Sequence, residues 1–364
     1  MVLQLVRCDE PPSMIRGRST YTVTGFVGYA LANVLAIVLS WQWQLTLTER
    51  LLVFLAPPLA FVAVVTVATA IVGRERIVFF QTALAGAAAV VVGGYVVGLA
   101  PSRIAQLLDI DVLGVGVFLI FGRIGCHAVA CCHGRPMQRA TKFAVRYGAA
   151  HGRAGLPTYL VQRWLFPVQL LESVVSLALV VVALLLRQRP GDAAVVYTLG
   201  YCIFRFGIEF ARGDQARPVR YGLSEAQWSA VLAALLVAMC RRDVLTITVA
   251  ASMLVGVAVT FVTRQQRALT APVHLAELAT RMTQRDATAT SCGVTISGHA
   301  LPQHGNMFDW VMTREPVALT AADVASVAQA MWQHATVIPG QTLGVFHVVV
   351  GVPDVRDVGT STHA

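Results

Sequence analysis

The chain has 364 residues, of which 56% are hydrophobic and 13% are charged, and its formal net charge is +9 at pH 7. Soluble domains carry roughly 25% charged residues, so this composition excludes an ordinary water-soluble protein of the same length. The positive charge is almost all arginine, because Lys142 is the only lysine. The arginines lie between and inside apolar segments, with no basic tail, which favours membrane lipid over nucleic acid as a partner.

The N-terminal segment 1–20 combines acidic residues, prolines and arginines, unlike the apolar core of a cleavable signal peptide. Beyond it, apolar stretches recur at about the 20-residue length that crosses a bilayer core of ~30 Å. They predict transmembrane helices near 21–41, 51–72, 77–99, 108–128, 166–186, 193–211, 224–240 and 244–263. The stretch 224–240 has the weakest apolar signal, since Glu225 and Gln227 stand at its start. The sequence therefore predicts an all-α polytopic membrane protein, a bundle of seven or eight transmembrane helices.

The domain organisation follows from where the apolar stretches stop. We expect a transmembrane domain over 21–243, an extra transmembrane helix over 244–264 and a soluble tail of unknown role over 265–364. The tail has ordinary polarity and contains no apolar run of 18 residues. A predicted helix near 320–335 precedes a strand-like run at 343–352. The tail is thus expected to be a small α+β domain or a partly ordered segment.

One candidate site lies in the sixth predicted span, over 201–214. Its polar residues are spaced four, four and three positions apart and so share one helix face: Tyr201, Arg205, Glu209 and Arg212. A charge near the bilayer centre costs about 3 kcal/mol or more, so such residues persist where they pair, face a polar cavity or act on a ligand. Arg205 and Glu209 are expected to pair, which leaves Arg212 and one side of Arg205 for an anion. An ion pair that only packs helices near the interface is the alternative.

A second candidate segment, 121–136, ends the fourth span. Arg123 follows a long apolar run, and Gly122 and Gly125 beside it permit close approach of the backbone. Arginine presents a planar fork of donors that matches phosphate geometry. Two separated segments that each offer a buried arginine therefore predict a phosphate clamp.

The same segment is rich in cysteine and histidine, namely Cys126, His127, Cys131, Cys132 and His133. Their spacing does not match the paired motifs of zinc fingers, so we expect neither a metal nor a cofactor. A disulfide on an oxidising face, simple packing, and a general-base role for either histidine are the alternatives left open.

A third segment, 166–172, opens the fifth span with Pro167, which suits the first turn of a helix. Gln169 and Glu172 follow three positions apart on one helix face. They are expected either to line a polar cavity or to pair locally.

Together the three segments resemble the prolipoprotein diacylglyceryl transferase family, with agreement over about 77–240. The family's Gly-Arg-x-Gly-Asn motif, which closes in Gly-Arg, corresponds to 122–126 with Gly134 and Arg135. Its Tyr-x-x-x-Arg-Phe-x-x-Glu-Phe-x-Arg motif is complete over 201–212, and its His-Pro-x-Gln-Leu-Tyr-Glu motif appears with changes at 166–172.

The chain departs from the family's pattern at three informative positions. Cys126 stands for the family's asparagine, and Cys131 stands for a glutamate five residues later. Gln81 stands for the histidine of the family's His-Gly-Gly-Leu motif. If that histidine is the base, His127 or His133 would have to replace it here.

The resemblance implies a helical bundle in the bacterial inner (plasma) membrane, with a central cavity open to lipid. It implies transfer of the diacylglyceryl group from phosphatidylglycerol to the lipobox cysteine of preprolipoproteins. The residues expected to be catalytic are Arg123, Arg205, Tyr201 and Glu209. Those expected to bind substrate are Arg212, Arg135, Gly125, Cys126, Gln169, Glu172 and Gln81. A phospholipid-binding or transport protein that kept the clamp, and an enzyme with another acceptor, are the alternatives.

The orientation in the membrane stays open at the level of sequence. Most arginines between the spans fall on one face, which the positive-inside rule would place in the cytoplasm. The resemblance places the same face outside. The side of the tail depends on whether the chain has seven or eight spans.

Overall fold

The computed structural model describes residues 14–15, 18–73, 79–138, 141–214, 219–284, 287–301 and 307–351. The helices in these ranges are α1 (Thr20–Gln42), α2 (Leu47–Val72), α3 (Phe79–Val96), α4 (Pro101–Ala128), α5 (Ala149–Arg153), α6 (Val168–Leu186), α7 (Asp192–Ile208), α8 (Glu225–Arg241), α9 (Val244–Ala268), α10 (Pro272–Gln284) and α11 (Ala321–Met331). The strands are β1 (Met14–Ile15), β2 (Arg18–Ser19), β3 (Val145–Arg146), β4 (Trp164–Leu165), β5 (Val219–Arg220), β6 (Leu223–Ser224), β7 (Val294–Leu301), β8 (Met307–Arg314), β9 (Ala335–Pro339) and β10 (Phe346–Gly351).

Seven of the described helices are long and apolar enough to cross a membrane, which confirms the predicted polytopic membrane fold. They are α1, α2, α3, α4, α6, α7 and α9. The seventh predicted span, near 224–240, forms α8, which has 17 residues. α7 alone is equally short, but its membrane span reaches 20 residues with the turn that follows it, to Ala211. At 1.5 Å per residue, α8 is about 26 Å long, a little less than the ~30 Å bilayer core.

The helix starts follow local sequence signals. Thr46 and Glu49 form a reciprocal capping box at the start of α2, and Ser224 and Gln227 form another at α8. The start of α7 is capped instead by a distant side chain. Asp109 of α4 is fully buried and accepts hydrogen bonds from the backbone N–H groups of Gly191 and Ala194, at 2.8 and 2.7 Å. This contact fixes α7 against α4.

The long helices run back and forth between two ends of the bundle. At the end that we call the far end, Arg103 of α4 pairs with Glu49 of α2 at 2.7 Å, and Arg241 of α8 pairs with Asp192 of α7. At the opposite end, which we call the loop end, lie the described parts of the connections 129–167 and 212–224, namely 129–138, 141–167, 212–214 and 219–224. The first turn of α1 is also there, because a Cβ added to Gly125 would lie 3.1 Å from the Cα of Tyr21.

The tail beyond α9 is a small α+β unit, as the sequence predicted. Its four antiparallel strands lie in the order β7-β8-β10-β9. Buried side chains of α10 and α11 cover the sheet, including Leu278, Val324 and Val327. The predicted helix at 320–335 ends sooner, at Met331, because residues 335–339 pair with β10 instead.

The tail lies against the loop end of the bundle. The buried guanidinium of Arg163 donates hydrogen bonds to the carbonyls of Ala330 and Gln329, at 3.2 and 3.1 Å, in the last turn of α11. Tyr159 packs against the tail's apolar core. A cavity of about 240 Å³ remains between the two parts, and its lining includes Arg135 and Gly213.

Candidate active site

A cluster of buried charges lies at the loop end, where four segments meet. Arg123 comes from the last turns of α4, Glu172 from the second turn of α6, and Tyr201 and Arg205 from α7. A 3-10 turn over Glu209–Ala211 and the residues after it contribute the rest. The side chains of Arg123, Glu172, Arg205 and Arg212 are at most 8% exposed. Charges buried this deeply need partners, and the cluster supplies them.

Glu172 is the central counter-ion of this cluster. Its Oε2 lies 3.0 Å from the Nε of Arg123, and its Oε1 lies 3.9 Å from the Nε of Arg205. Arg212 approaches the same carboxylate at 3.8 Å through Nη1. Tyr201 donates a hydrogen bond of 2.7 Å to its Oε1. The two arginines predicted to form a clamp thus converge, but on a carboxylate of the protein itself.

Glu209 and Asp214 hold the other arginines in place. Arg205 pairs with Glu209 through the predicted i, i+4 contact. Arg212 pairs with Asp214 at 2.8 Å and lies 3.9 Å from Glu209. The three arginines therefore face three carboxylates, which balances the charge of this set.

The expected single helical stripe was wrong at its end. α7 stops at Ile208, and the chain tightens into the 3-10 turn before Arg212, whose backbone is extended (φ −75°, ψ 145°). Arg212 nevertheless reaches the cluster, because its side chain folds back toward Glu172. Its pairing with Asp214 also corrects the expectation that Arg212 is left wholly for an anion.

Several buried polar atoms in this cluster have no hydrogen bond within the described part of the chain. They are Nε of Arg123, Oε2 of Glu172, and Nη1 and Nη2 of Arg212. The 3.0 Å pair between Arg123 and Glu172 is therefore a charge contact without hydrogen-bond alignment. Unsatisfied buried donors are costly, so their concentration here points to a ligand that supplies acceptors.

The 129–167 connection closes over this cluster. The backbone of Gly134 pairs with that of Arg212, and the N–H of Arg135 donates to the carbonyl of Ala211 at 2.9 Å. Arg135 Nε also donates to the carbonyl of Arg212 at 3.2 Å. Gly134 is needed for the close approach, since a Cβ there would clash with the backbone of Phe166. The predicted substrate-binding residue Arg135 thus lies between the cluster and the cavity beneath the tail.

Gln169 of α6 holds the 129–167 connection in place through hydrogen bonds. It donates to the carbonyl of Cys131 at 2.9 Å and approaches the hydroxyl of Tyr147 at 3.4 Å. That hydroxyl in turn donates to the carbonyl of His127 at 3.1 Å. The structure therefore assigns Gln169 loop-positioning contacts.

Three cysteines lie together at the end of α4. The Sγ atoms of Cys126, Cys131 and Cys132 are all within 4.8 Å of one another, and all three thiols are free. The turn that gathers them has left-handed backbone at Ala130 (φ 59°) and Cys132 (φ 55°). No disulfide joins them in this structure, contrary to one of the open alternatives.

Two other candidate residues, Gln81 and His133, form no side-chain hydrogen bond or ion pair with the arginine cluster in the described chain. Gln81 is exposed and donates to Glu225 at 2.7 Å, and no described contact joins it to the three arginines. His133 is buried next to the carbonyl of Gly134, 3.1 Å from its Nδ1. Burial lowers the pKa of His133, so it is neutral near pH 7.

Sequence reasoning missed two residues of the site. Asp214 was not singled out, although its position two residues after Arg212 is a signal for local pairing. Tyr147 lies in the middle of the long loop, and nothing in its sequence context indicates contact with His127 and Gln169. Only the folded loop brings it there.

Much of the chain is similar to known proteins. Residues 21–241 match the family model described as "Prolipoprotein diacylglyceryl transferase". A curated relative, "Phosphatidylglycerol--prolipoprotein diacylglyceryl transferase 2" of Clostridium perfringens, is 30% identical over 116 residues. That alignment covers 31% of this chain and 42% of the relative, so the chain spans less than half of the relative's length. No solved structure matches.

Proposed function

Since this chain belongs to the prolipoprotein diacylglyceryl transferase family, as a multi-pass membrane protein, we propose that it transfers the diacylglyceryl group of phosphatidylglycerol to the lipobox cysteine of preprolipoproteins. The proposed setting is the bacterial inner membrane. The observation that carries the proposal is the convergence of Arg123, Arg205 and Arg212 around Glu172, with open donors on Arg212.

The reaction breaks a bond whose leaving group is an anion. The acceptor thiol loses its proton, and the sulfur forms a new bond to the terminal glycerol carbon of the diacylglyceryl group. The C–O bond to phosphate breaks, and glycerol phosphate leaves with the electron pair. Negative charge on the leaving phosphate rises during this step, and fixed donors aimed at that charge are usually the largest catalytic contribution.

The cluster suits this demand. Nη1 and Nη2 of Arg212 are buried without a hydrogen-bond partner in the described chain, so they are available to phosphate oxygens without first breaking a bond. The Nε of Arg123, which contacts the same Glu172 oxygen as Arg212, also makes no hydrogen bond in the described chain. We assign these two guanidinium groups, with Arg205, to the phosphate.

The acidic and phenolic groups have positioning roles in this proposal. Glu172 and Glu209 fix the arginine forks, and Tyr201 fixes Glu172 through its hydrogen bond. With three arginines against three carboxylates, a bound phosphate makes the set negative by at least one charge. Arg135 is far from Arg212 in sequence, but its Nε donates to the backbone carbonyl of Arg212. It therefore places a further positive charge next to the set.

The second candidate function is lipid binding or transport without transfer. It is favoured by Gln81, which stands where the family has a histidine and lies among exposed residues beside Glu225. In that case the cluster would bind the headgroup but no thiol would be activated.

Complementation separates the two. The full chain is expressed in cells depleted of their own transferase, and lipid-modified lipoprotein is detected by labelled fatty acid. We expect rescue by the unchanged chain. Failure to rescue, with membrane insertion verified, would contradict the transferase and favour lipid binding.

Arg205→Lys keeps the charge but removes the bidentate fork, so we expect transfer to fall about 100-fold while insertion is unchanged. The matched control is Arg103→Lys at the far end, where an arginine also pairs with a glutamate but no substrate is proposed. Equal activity of the Arg205→Lys protein and the control would refute the role of Arg205.

A further inference from the structure

The three-cysteine cluster is the feature that the proposed function does not use. Cys126 is buried in the last turn of α4, whereas Cys131 and Cys132 are half-buried in the turn after it. Their sulfur atoms lie within 4.8 Å of one another. Among the described residues, these three side chains are close enough together to bind one metal ion. Three free thiols at this separation have the composition of a site for a soft cation.

The local backbone holds the thiols in place. The left-handed residues Ala130 and Cys132 fold the chain back over the end of α4. Gln169 of α6 fixes the carbonyl of Cys131 at 2.9 Å. On the other side, Gly125 allows α1 to approach, since any side chain there would meet Tyr21. The three sulfurs are thus positioned by α1, α4 and α6 together.

The distances suit zinc. With Zn–S bonds of about 2.3 Å in a tetrahedral site, neighbouring sulfurs lie about 3.8 Å apart. Sulfurs within 4.8 Å of one another need shifts of about 1 Å or less to close on the ion. The zinc-finger spacing rule, on which the expectation of no metal was based, describes paired Cys-x-x-Cys turns. It does not cover a site closed by a left-handed turn at a helix end.

The charges around the thiols also suit metal thiolates. Arg123 is one helical turn from Cys126, and the backbone of Arg212 pairs with that of Gly134, two residues after Cys132. Three thiolates around a divalent cation carry a net charge of −1, and guanidinium groups nearby favour such a charge even though they also face the carboxylates. Cys131 and Cys132 are only half-buried, so the cluster is partly exposed at the loop end.

We propose that Cys126, Cys131 and Cys132 bind one Zn²⁺ and leave its fourth position open for the acceptor cysteine thiol. The metal site stands on the geometry alone, whereas the identity of the fourth ligand rests on the proposed transfer function. Zinc sites with three protein ligands and an open position are the catalytic type. A thiol bound to such an ion loses its proton, and the thiolate is the nucleophile that alkylation requires.

The step balances without a further reagent. The acceptor S–H binds as a thiolate and its proton passes to water. The sulfur then forms its bond to the diacylglyceryl carbon as the C–O bond breaks, and the electron pair leaves on glycerol phosphate beside Arg123. The thioether product is a weak ligand, so it dissociates and reopens the position. Gln81 stands where the family has a histidine, and glutamine cannot act as a base. Zinc would activate the thiol in its place.

The first test measures the metal itself. The full chain, purified in lipid nanodiscs with a thiol-free reductant, is analysed for zinc by mass spectrometry. We expect one zinc per chain, and Co²⁺ added to the metal-free protein should give thiolate charge-transfer bands. Absence of both zinc and cobalt bands, tightly bound copper in place of zinc, or a disulfide between two of the three cysteines would each overturn the proposal.

Substitutions locate the site. Cys126→Ser, Cys131→Ser and Cys132→Ser should each lower zinc content severalfold, whereas the matched controls Cys240→Ser and Cys292→Ser should keep it. If a cluster variant fails to insert, zinc protection of the unchanged chain against alkylation gives the same information. Protection of these three thiols supports the site, and equal alkylation with and without zinc contradicts it.

A peptide test addresses the fourth ligand. A lipobox peptide with its cysteine should shift the cobalt spectrum, and the same peptide with serine should not. Metal binding without any peptide response would contradict the open position while leaving the metal site intact. Metal binding and a peptide response in a chain that does not rescue transfer would sink the proposed function but not the site.

Discussion

Glu172 is the residue on which the buried cluster depends. It contacts Arg123, Arg205 and Arg212, and its side chain is 1% exposed. A buried ion pair is weak support for stability as a whole, but removal of one partner leaves an uncompensated charge and costs about 3–5 kcal/mol.

We therefore expect Glu172→Gln, which keeps shape and hydrogen-bonding size, to destabilise the folded bundle by about 3 kcal/mol and to lower transfer. Thermal unfolding in detergent measures the first effect, and lipoprotein labelling the second. Gln169→Glu, one turn earlier on α6, is a comparison that changes charge in the opposite sense. An unchanged melting temperature in Glu172→Gln would mean that the carboxylate is not the counter-ion that the distances indicate.

The pairing partners in the cluster could be predicted from the sequence only where both residues lie on the same helix. The pair of Arg205 and Glu209 follows from i, i+4 spacing, and it was predicted and found. The convergence of Arg123 on Glu172 depends on how α4 packs against α6, and spacing within one helix carries no information on that. Tyr201 illustrates the difference, because its predicted stripe position is right but its partner is Glu172 on another helix.

At the scale of elements, the 129–167 connection joins the bundle to the tail. Arg163 lies in this connection, and its guanidinium donates to two carbonyls of α11 that would otherwise lack partners at a helix end. Hydrogen bonds from a charged group are worth about 1.5–3 kcal/mol.

Arg163→Met should therefore loosen the tail from the loop while the helices stay folded. Hydrogen exchange should rise in α11 and in residues 158–165, with little change in α4 or α6. The matched control is Arg146→Met, since Arg146 is in the same connection, stacks on Trp164 at 4.9 Å and bonds to Gln162 without touching α11. Equal exchange in both variants would contradict the docking role of Arg163.

The tail has its own pH-sensitive group in His274 of α10. Its ring is buried, with Nδ1 2.7 Å from the carbonyl of Leu269, to which it donates, and Nε2 3.0 Å from the hydroxyl of Thr290, from which it accepts. Both bonds are satisfied by the neutral ring. Burial lowers the pKa of His274 below its ordinary value.

The unfolded tail then binds this proton more readily than the folded tail. Stability is complete above the ordinary pKa of about 6.5 and falls as pH drops from there toward the folded-state pKa. We expect faster hydrogen exchange in the tail at about pH 5.5 than at about pH 7.5, after correction for intrinsic rates. In the His274→Asn protein, the difference in exchange between the two pH values should be smaller. If the tail of the unchanged protein exchanges at the same corrected rate at both pH values, His274 does not control its stability.

The elements themselves were largely predictable, because a lipid environment demands long apolar helices. Their exact neighbours were not. The limit of α11 at Met331 was missed, since the pairing of residues 335–339 with β10 outweighs the helical pattern. The length of the long loop was evident, but its close contact with Arg212 depends on Gly134, whose missing Cβ matters only once Phe166 is in place.

The path of the whole chain determines on which side of the membrane the tail lies. α7 runs from the far end, where Asp192 pairs with Arg241, to the loop end, where Arg205 joins the cluster. α8 returns to the far end, and α9 runs back again. The contact of Arg163 with α11 places the tail at the loop end, which requires that α8 cross although it is short.

Eight crossings put the start of α1 and the tail on one side of the membrane. In intact cells and in inverted vesicles, a membrane-impermeant maleimide should label Arg18→Cys and Thr342→Cys from the same side. Arg189→Cys and the native Cys240, near the far end, should be labelled from the opposite side. If Thr342→Cys is labelled together with Arg189→Cys, α8 does not cross, and the tail cannot meet Arg163 as described. The same experiment decides whether the loop end, with its cluster of arginines and thiols, faces outward where a secreted lipoprotein precursor would present its cysteine.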